Sequence, residues 1–530
     1  MAALPSTVVD YIHHEDRVNL SRRASHLSLA DKASSVRDTF TRPASTSEAE
    51  LVEEGDSNEF RLPAVRSLFV VIFGNVLFQI MFFIIVSSAS AYAEYLGGSA
   101  TFSGLTIGIP PVFGGLALLV TTRFDRGQYK ACFQLAYASA ILGNILYALA
   151  YKAHFLYLIL IGRCVSGVAF ISFMYSKRYC ADPRIVGIRR RTTLASWLVV
   201  GQGLGFSAGP FLGGVLYKIG FADQVFNGYT SPGWIMTITF ALFWVIGNLL
   251  FKDIPPLPKA TSRADTSQAL ELDNLPPNPS RAHSHTDLIP HQSSPPPTTQ
   301  SPHHASWRDL SFRQWGVTLC MCYFAMTCFL ILGAWESNIP VYTSTALDFS
   351  PFKAGNFIAL GGVATLPFLL ANVRYARRFQ DRTTLALGTT LGIIGITIML
   401  ILLSTSEQVV PLQSGSHALF TPNSPESTER IGKVAYVPFL ICWFLVALGF
   451  NLASTCTLSL LSKQLPDEWY TGVSMAIQYS NYTGRTSGAI LGGAGVKIGM
   501  KNYLAVQLAI VGFGVVMYCV LWRDMKAKKG

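Results

Sequence analysis

Twelve long apolar stretches dominate this chain of 530 residues, near 66–92, 101–122, 130–151, 155–178, 193–218, 232–252, 314–345, 353–374, 383–404, 436–462, 470–497 and 501–523. A helix rises about 1.5 Å per residue, so about 20 apolar residues cross the ~30 Å hydrocarbon layer of a bilayer. Inside that layer no water is present to satisfy backbone N–H and C=O groups, and a helix satisfies its own. The pattern predicts an all-α polytopic membrane protein with twelve transmembrane helices. Composition agrees, since 50% of residues are hydrophobic and only 13% are charged, about half the ~25% charged content of soluble domains.

The segments between the spans divide the chain. Residues 1–62 are rich in Ser, Thr, Arg and acidic residues and are expected to be a disordered cytosolic tail without the apolar core of a signal peptide. Residues 253–312, packed with Pro, Ser, His and Thr, are expected to be a disordered cytosolic linker. These bounds give six-helix bundles over 63–252 and 313–523, with a short cytosolic tail at 524–530. Two stretches also echo each other. Gly209 to Gly220 reads Gly-Pro-Phe-Leu-Gly-Gly-Val-Leu-Tyr-Lys-Ile-Gly, Gly488 to Gly499 reads Gly-Ala-Ile-Leu-Gly-Gly-Ala-Gly-Val-Lys-Ile-Gly, and 7 of 12 positions are identical. A weaker echo pairs Arg123-Phe-Asp125-Arg126 with Arg378-Phe-Gln-Asp381-Arg382. Membrane chains that repeat themselves in two halves are organised like secondary transporters, with substrate held where the halves meet.

The net charge of +11 does not indicate nucleic acid, because the basic residues cluster in short loops between apolar spans. One set of loops holds Arg123, Arg126, Lys130, Arg184, Arg189, Arg190, Arg191, Arg374, Arg377, Arg378, Arg382 and Lys463, and the opposite set holds fewer. The positive-inside rule then puts both termini and the linker in the cytosol. The nine cysteines lie in or beside the spans without metal-ligand spacing and read as apolar packers. No nucleotide loop, catalytic triad or metal site is legible, so neither enzyme activity nor a cofactor is expected.

Charges inside apolar spans are costly, at least ~2.5–3.5 kcal/mol on insertion scales, and should face a wet cavity or a partner. Arg163 lies in the fourth span, Glu336 in the seventh and Arg485 in the eleventh, with Lys177 and Arg178 at the end of the fourth. Several cations and one carboxylate predict a small anionic substrate. A purely structural reading pairs Glu336 with Arg485 or Arg163 and makes Lys177 and Arg178 topology markers. Asn75 and Gln79, one turn apart in the first helix, and Tyr479 in the eleventh are candidate pathway ligands. Asp125, Arg126, Asp381 and Arg382 are candidate gating charges, with simple topology marking as the alternative. Gly205-x-x-x-Gly209-Pro210-x-x-Gly213-Gly214 is expected to allow close helix approach and a proline bend, and matches the later part of a motif marking antiporters of the major facilitator superfamily.

Six helices, a linker and six more helices is also that superfamily's layout, and several blocks narrow the resemblance. Gly143-Asn144-Ile145-Leu146-Tyr147-Ala148-Leu149-Ala150, Ile161-Gly162-Arg163, Ser176-Lys177-Arg178-Tyr179-Cys180-Ala181-Asp182, Pro232-Gly233-Trp234 and Leu366-Pro367 resemble the membrane part of the SPX–MFS vacuolar phosphate transporters of plants and related lysosomal major facilitator proteins. The resemblance covers most of 66–252 and is patchier over 314–523. That family typically carries two adjacent arginines where Lys177-Arg178 stand. Residues 1–62 are too short and polar for the SPX sensor domain. The resemblance implies an endomembrane anion carrier, vacuolar or lysosomal rather than plasma-membrane, with phosphate as the first candidate substrate; Glu336 is the candidate group for exchanging a proton or for pairing with an arginine as substrate leaves. A monomer is expected. A proton-coupled antiporter of organic compounds and an anion channel on the same scaffold stay open as alternatives.

Overall fold

The computed structural model describes residues 61–124, 127–182, 184–220, 223–254, 311–375, 380–406, 433–462, 465 and 470–525. Most of the expected tails and linker, together with Asp125 and Arg126, lie outside the described residues. Every regular element among those described is helical. In chain order these are α1 Val65–Phe83, α2 Ala89–Tyr95, α3 Ala100–Phe124, α4 Lys130–Ala153, α5 Leu156–Gly167, a 3₁₀ turn Val168–Phe170, α6 Ile171–Ala181, α7 Ile188–Ile219, α8 Ser231–Leu250, α9 Phe312–Leu347, α10 Pro351–Tyr375, α11 Asp381–Thr405, α12 Tyr436–Ser462, α13 Tyr470–Ile498 and α14 Met500–Leu521. Together α1 and α2 make the first span, and α5 to α6 make the fourth.

Eleven of the spans are long and apolar enough to cross a membrane. The remaining one, α13, is as long at 29 residues but carries Gln478, Asn481 and Arg485. Its polarity is tolerable because α13 packs most extensively against protein, on α9 and α3. The first span departs from the uninterrupted 66–92 expectation. Its backbone passes through turns at residues 84–88, where Val86 N–H donates to Phe83 O and Ser88 N–H to Ile85 O. The run Ile84-Ile85-Val86 is β-branched, which disfavours helix here.

The echoed glycines occupy equivalent places. A Cβ on Gly213 would collide with the carbonyl oxygen of Ile84, while one on Gly209 would press into Phe83, so this face of α7 lies against the end of α1 and the break that follows it. Gly488 and Gly492 do the same on α13, with the carbonyls of Leu330 and Ala334 on α9. The neighbouring glycines face the other half of the chain. Gly214 meets Phe352 of α10, with a Cβ 3.0 Å from its Cα, and Gly493 meets Gly104 of α3 at 2.8 Å. The fifth helix therefore packs on the first and the eighth, and the eleventh on the seventh and the second. Only small residues let backbones come this close. Pro210 lies within α7, which continues through it to Ile219. Its carbonyl oxygen meets Gly355 of α10.

These cross-half contacts lie at the end of the helices remote from the arginine-rich loops. At the arginine-rich end a separate cluster ties together the ends of α4, α6 and α8. Asp253, just after α8, accepts the N–H groups of Tyr129 at 3.0 Å and Lys130 at 3.1 Å, which satisfies donors at the start of α4. Asp182 accepts the Tyr129 hydroxyl at 2.8 Å and both Nε and Nη2 of Arg184. Burial works against its charge, but the Arg184 side chain, the Arg184 N–H and Tyr129 outweigh it and hold this carboxyl below its ordinary value. The Tyr179-x-x-Asp182 run thus does architectural work, with Tyr179 buried edge-on against Tyr129 at 5.2 Å.

Candidate functional site

Gly484 and Gly488 flank Arg485 on α13, and both are so close to α9 that a Cβ would collide with a carbonyl oxygen of that helix. Gly333 of α9 lies against the backbone of Arg485, and one turn further along α9 stands Glu336. Close helix approach therefore brings an acid and a base within reach in the bundle interior. Arg485 Nη2 donates to Glu336 Oε2, with the Glu336 side chain 1% exposed and that of Arg485 12% exposed. The second carboxylate oxygen of Glu336 has no hydrogen-bond partner among the described residues.

Arg163, on α5, is held differently. It is 2% exposed, its Nε donates to the Thr106 carbonyl of α3 at 3.2 Å, and its Nη2 has no partner among the described residues. Among the described residues no carboxylate pairs with it. Both arginines approach the ring of Phe82, at the end of α1. The Arg163 guanidinium carbon is 5.6 Å from the ring centroid and that of Arg485 4.9 Å, with Arg485 also 4.7 Å from Phe83. Such contacts are worth about 0.5–2 kcal/mol to a cation out of water. Aromatic rings close the surround, with Phe82 on Phe170 at 5.1 Å, Phe83 on Phe206 at 4.8 Å and Phe170 on Tyr482 at 6.1 Å. Two guanidiniums and one carboxylate leave one positive charge uncompensated in an aromatic, low-dielectric setting.

The other sequence-derived candidates fall elsewhere. Asn75 is 2% exposed, and its amide donates to the Leu198 carbonyl at 3.1 Å while accepting from Gln202 at 3.5 Å. In this structure it joins α1 to α7. Gln79 is half-buried and packs on Gly205. Tyr479 donates its hydroxyl to the Gly115 carbonyl at 3.1 Å, joining α13 to α3. Lys177 and Arg178 are exposed, and 14 residues separate Lys177 from Arg163, about 21 Å along a helix. A small anion cannot touch Lys177 and Arg163 together. Asp381 accepts from Ser459 of α12 at 2.8 Å. Arg382 lies over the Trp522 ring at 4.5 Å and donates to the Trp522 carbonyl. The contacts of Arg382 thus tie the start of α11 to the end of α14, within the last six helices. Phe82, Phe83 and Thr106 escaped sequence reasoning because an aromatic or threonine in an apolar helix carries no hydropathy signal. The partners of Arg163 are a carbonyl and a ring, which no pattern of charges reveals.

The sequence model of the Major Facilitator Superfamily matches residues 71–489. An uncharacterized MFS-type transporter of Schizosaccharomyces pombe is 26% identical over 525 residues, covering 95% of this chain and 93% of its own. An uncharacterized protein of the same yeast is 27% identical over 88% of this chain and 84% of its own. An SPX domain-containing membrane protein of Arabidopsis thaliana is 32% identical over 212 residues, 38% of this chain and 29% of its own. Among solved structures, a peptide transporter POT in complex with sulfate superposes with a TM-score of 0.60 at 14% identity, over 90% of this chain and 99% of its own. A D-xylose-proton symporter gives 0.59 at 13% identity, over 88% and 99%. At such identities the structural likeness concerns the fold alone.

Proposed function

The chain belongs to the Major Facilitator Superfamily, and from that premise we propose that it is a secondary carrier of a small anion, inorganic phosphate first, working by alternating access across an endomembrane. One observation carries the reading. Among the described residues Arg163 is buried without a carboxylate partner, so the interior around Phe82 holds two guanidiniums and, of the described carboxylates, Glu336. A buried charge of this kind is expensive and marks a pathway or a ligand. An anion supplies the missing negative charge, and guanidinium is the side chain best shaped for phosphate or carboxylate oxygens. The resemblance of 66–252 to SPX–MFS phosphate transporters points to the same class.

Glu336 then serves as the coupling group. While it is ionised it occupies Arg485, and protonation releases that arginine to a second contact with the anion. Proton and anion so travel together, and loss of the proton hands Arg485 back to Glu336 as the anion leaves. The scarcity of lysine and arginine in the opposite loops supports cytosolic termini, and the family resemblance supports a vacuolar or lysosomal membrane.

The test is uptake by purified protein in liposomes, with a pH gradient imposed and removed. Phosphate accumulation that follows the gradient and disappears in Arg163→Gln is the expected result. Undiminished phosphate flux in that variant removes Arg163 from the pathway. Exchange of lipophilic cations for protons, with no anion movement, establishes the antiporter instead, and ohmic current at rates far above carrier turnover establishes a channel.

A further inference from the structure

Two neighbouring cavities lie at the arginine-rich end of the first six helices, and neither is lined by Arg163, Glu336 or Arg485. The larger, about 310 Å³, lies between α1 and α7. Further along, these helices are in close contact: a Cβ on Gly201 would stand 3.0 Å from Val76, and one on Gly205 2.6 Å from Gln79. Towards the arginine-rich end the facing residues are Leu68 and Ile72 on α1 and Thr193, Leu194 and Trp197 on α7, and the cavity opens between them. Leu194 is 3% exposed and Trp197 47%, so the groove has a buried floor and an open edge. Arg190, in the first turn of α7, lines the same cavity. It lies seven residues before Trp197, about 10 Å along the helix. The Gly187 N–H donates to the Arg61 carbonyl at 2.9 Å, which ties the chain ahead of α7 to the chain ahead of α1. Arg191 turns back on its own loop, its Nε donating to the Val186 carbonyl at 3.3 Å.

The smaller cavity, about 240 Å³, shares Leu62 with the first, and Arg61, Ser67, Lys252 and Asp253 are among its lining residues. Asp253 accepts the backbone N–H groups of Tyr129, Lys130 and Ile254. The two linings therefore contribute three cations, Arg61, Arg190 and Lys252, and one carboxylate already bonded to backbone. Cations at the helix ends above an apolar groove suit a molecule with a negative head and a hydrocarbon tail. A free anion gains nothing from Leu68, Ile72, Leu194 and Trp197, and a lipid without net charge gains little from the cations.

We propose that the groove between α1 and α7 binds one anionic phospholipid from the leaflet at the arginine-rich end, with its phosphate at Arg190 and Thr193 and an acyl chain along Leu68, Ile72 and Trp197. Arg61 and Lys252 add attraction from the adjoining cavity. At about 310 Å³ the groove is at the small end of ligand sites. It holds the phosphate and the first part of a chain, while the rest of the lipid lies in the bilayer. On the orientation proposed above this leaflet is the cytosolic one, which is anionic. The binding itself uses none of the residues of the anion-carrier reading and stands apart from it.

The experiment is native mass spectrometry of the purified full-length protein, titrated with dioleoyl phosphatidylserine and with dioleoyl phosphatidylcholine. The wild type should hold one phosphatidylserine about 10-fold more tightly than phosphatidylcholine. Arg190→Gln should weaken that first phosphatidylserine about 10-fold, as loss of one hydrogen bond between charged groups does. Thr193→Phe fills the groove without a change of charge and should weaken it as well. Arg523→Gln removes an exposed charge after α14, in the last six helices, and should leave the affinity unchanged. Equal affinity for the two lipids, or equal losses in Arg190→Gln and Arg523→Gln, overturns a specific site. Unchanged affinity in Thr193→Phe overturns the groove as its seat, and displacement of the lipid by inorganic phosphate overturns the lipid as its occupant. Lipid that binds only after residues 1–58 are deleted assigns the groove to that segment and likewise overturns the proposal. Absence of phosphate uptake in liposomes would remove the carrier reading and leave this site intact. Monodisperse elution and an unchanged lipid-free melting temperature show that a variant is folded, and either groove variant carries the test if the other is not.

Discussion

Replacing Arg485 by Met and, separately, Arg163 by Met should move the thermal stability of the protein by very different amounts, although both arginines lie against one aromatic ring. Arg485→Met leaves Glu336 as a carboxylate 1% exposed with no counter-charge. Removing one partner of a buried pair costs about 3–5 kcal/mol. Arg163→Met strands no charge. It gives up one hydrogen bond to the Thr106 carbonyl, about 1.5–3 kcal/mol for a charged donor, and the contact with Phe82, about 0.5–2 kcal/mol. Against this, the desolvation of a guanidinium, several kcal/mol, is no longer needed. The balance for Arg163→Met is therefore near zero, or stabilising. If a six-helix half melts as a unit, each kcal/mol shifts the midpoint by roughly 2–4 °C. Arg485→Met should then melt roughly 6–20 °C below the wild type, and Arg163→Met within a few degrees of it or above. Intrinsic-fluorescence melting in detergent reads both, and both variants should have lost anion uptake. The double variant Glu336→Gln with Arg485→Met should recover most of the stability lost in Arg485→Met. Equal losses in the two arginine variants, or a double variant no more stable than Arg485→Met, would refute the assignment of one arginine as paired and the other as uncompensated.

Three further outcomes follow from the packing and the loop chemistry. Gly492→Val places a Cβ on the Ala334 carbonyl and should cost at least the ~1–3 kcal/mol of ordinary overpacking, seen as aggregation on size-exclusion chromatography. Gly512→Ala, with nothing near its Cβ position, should elute like the wild type. Asp182 has a lowered folded-state value, so its contribution is present above its unfolded value near 4 and is lost as pH falls through the folded one. Wild-type melting temperature should decline below about pH 4, and Asp182→Asn should be less stable at neutral pH with a flatter acid limb. Finally, Gly214→Cys with Phe352→Cys joins α7 to α10 where they meet. Oxidation should block uptake by holding that end shut, and reductant should restore it.

The repeat and the charges differ in how far the sequence carried them. Gly209, Gly213, Gly488 and Gly492 were legible as small residues in apolar helices at four-residue spacing, which is the period of one helix face. Their echo in the two halves corresponds to equivalent crossings, fifth helix on first and eleventh on seventh. Placement within apolar runs marks Arg163, Glu336 and Arg485 in the sequence itself. The same logic was weaker for uncharged polar groups. Asn75 and Tyr479 can bond either a ligand or a neighbouring backbone, and in this structure both meet carbonyls. Lys177 and Arg178 share the fourth span with Arg163, but the helical rise carries them to its far end.

Hydropathy over twelve segments determined the all-helical membrane architecture, because hydrocarbon leaves a backbone no other way to satisfy its polar groups. Spacing and charge sign determined which side chains had to be explained. Which arginine keeps a carboxylate and which goes without was decided only by tertiary structure. That outcome turns on a few ångströms of backbone separation, set by Gly484 and Gly488 against α9 and by Gly162 against α4, and Coulomb energy in a medium of low dielectric is steep in distance. A one-dimensional pattern records that such charges are present; the close crossings of helices far apart in the chain set what each one faces.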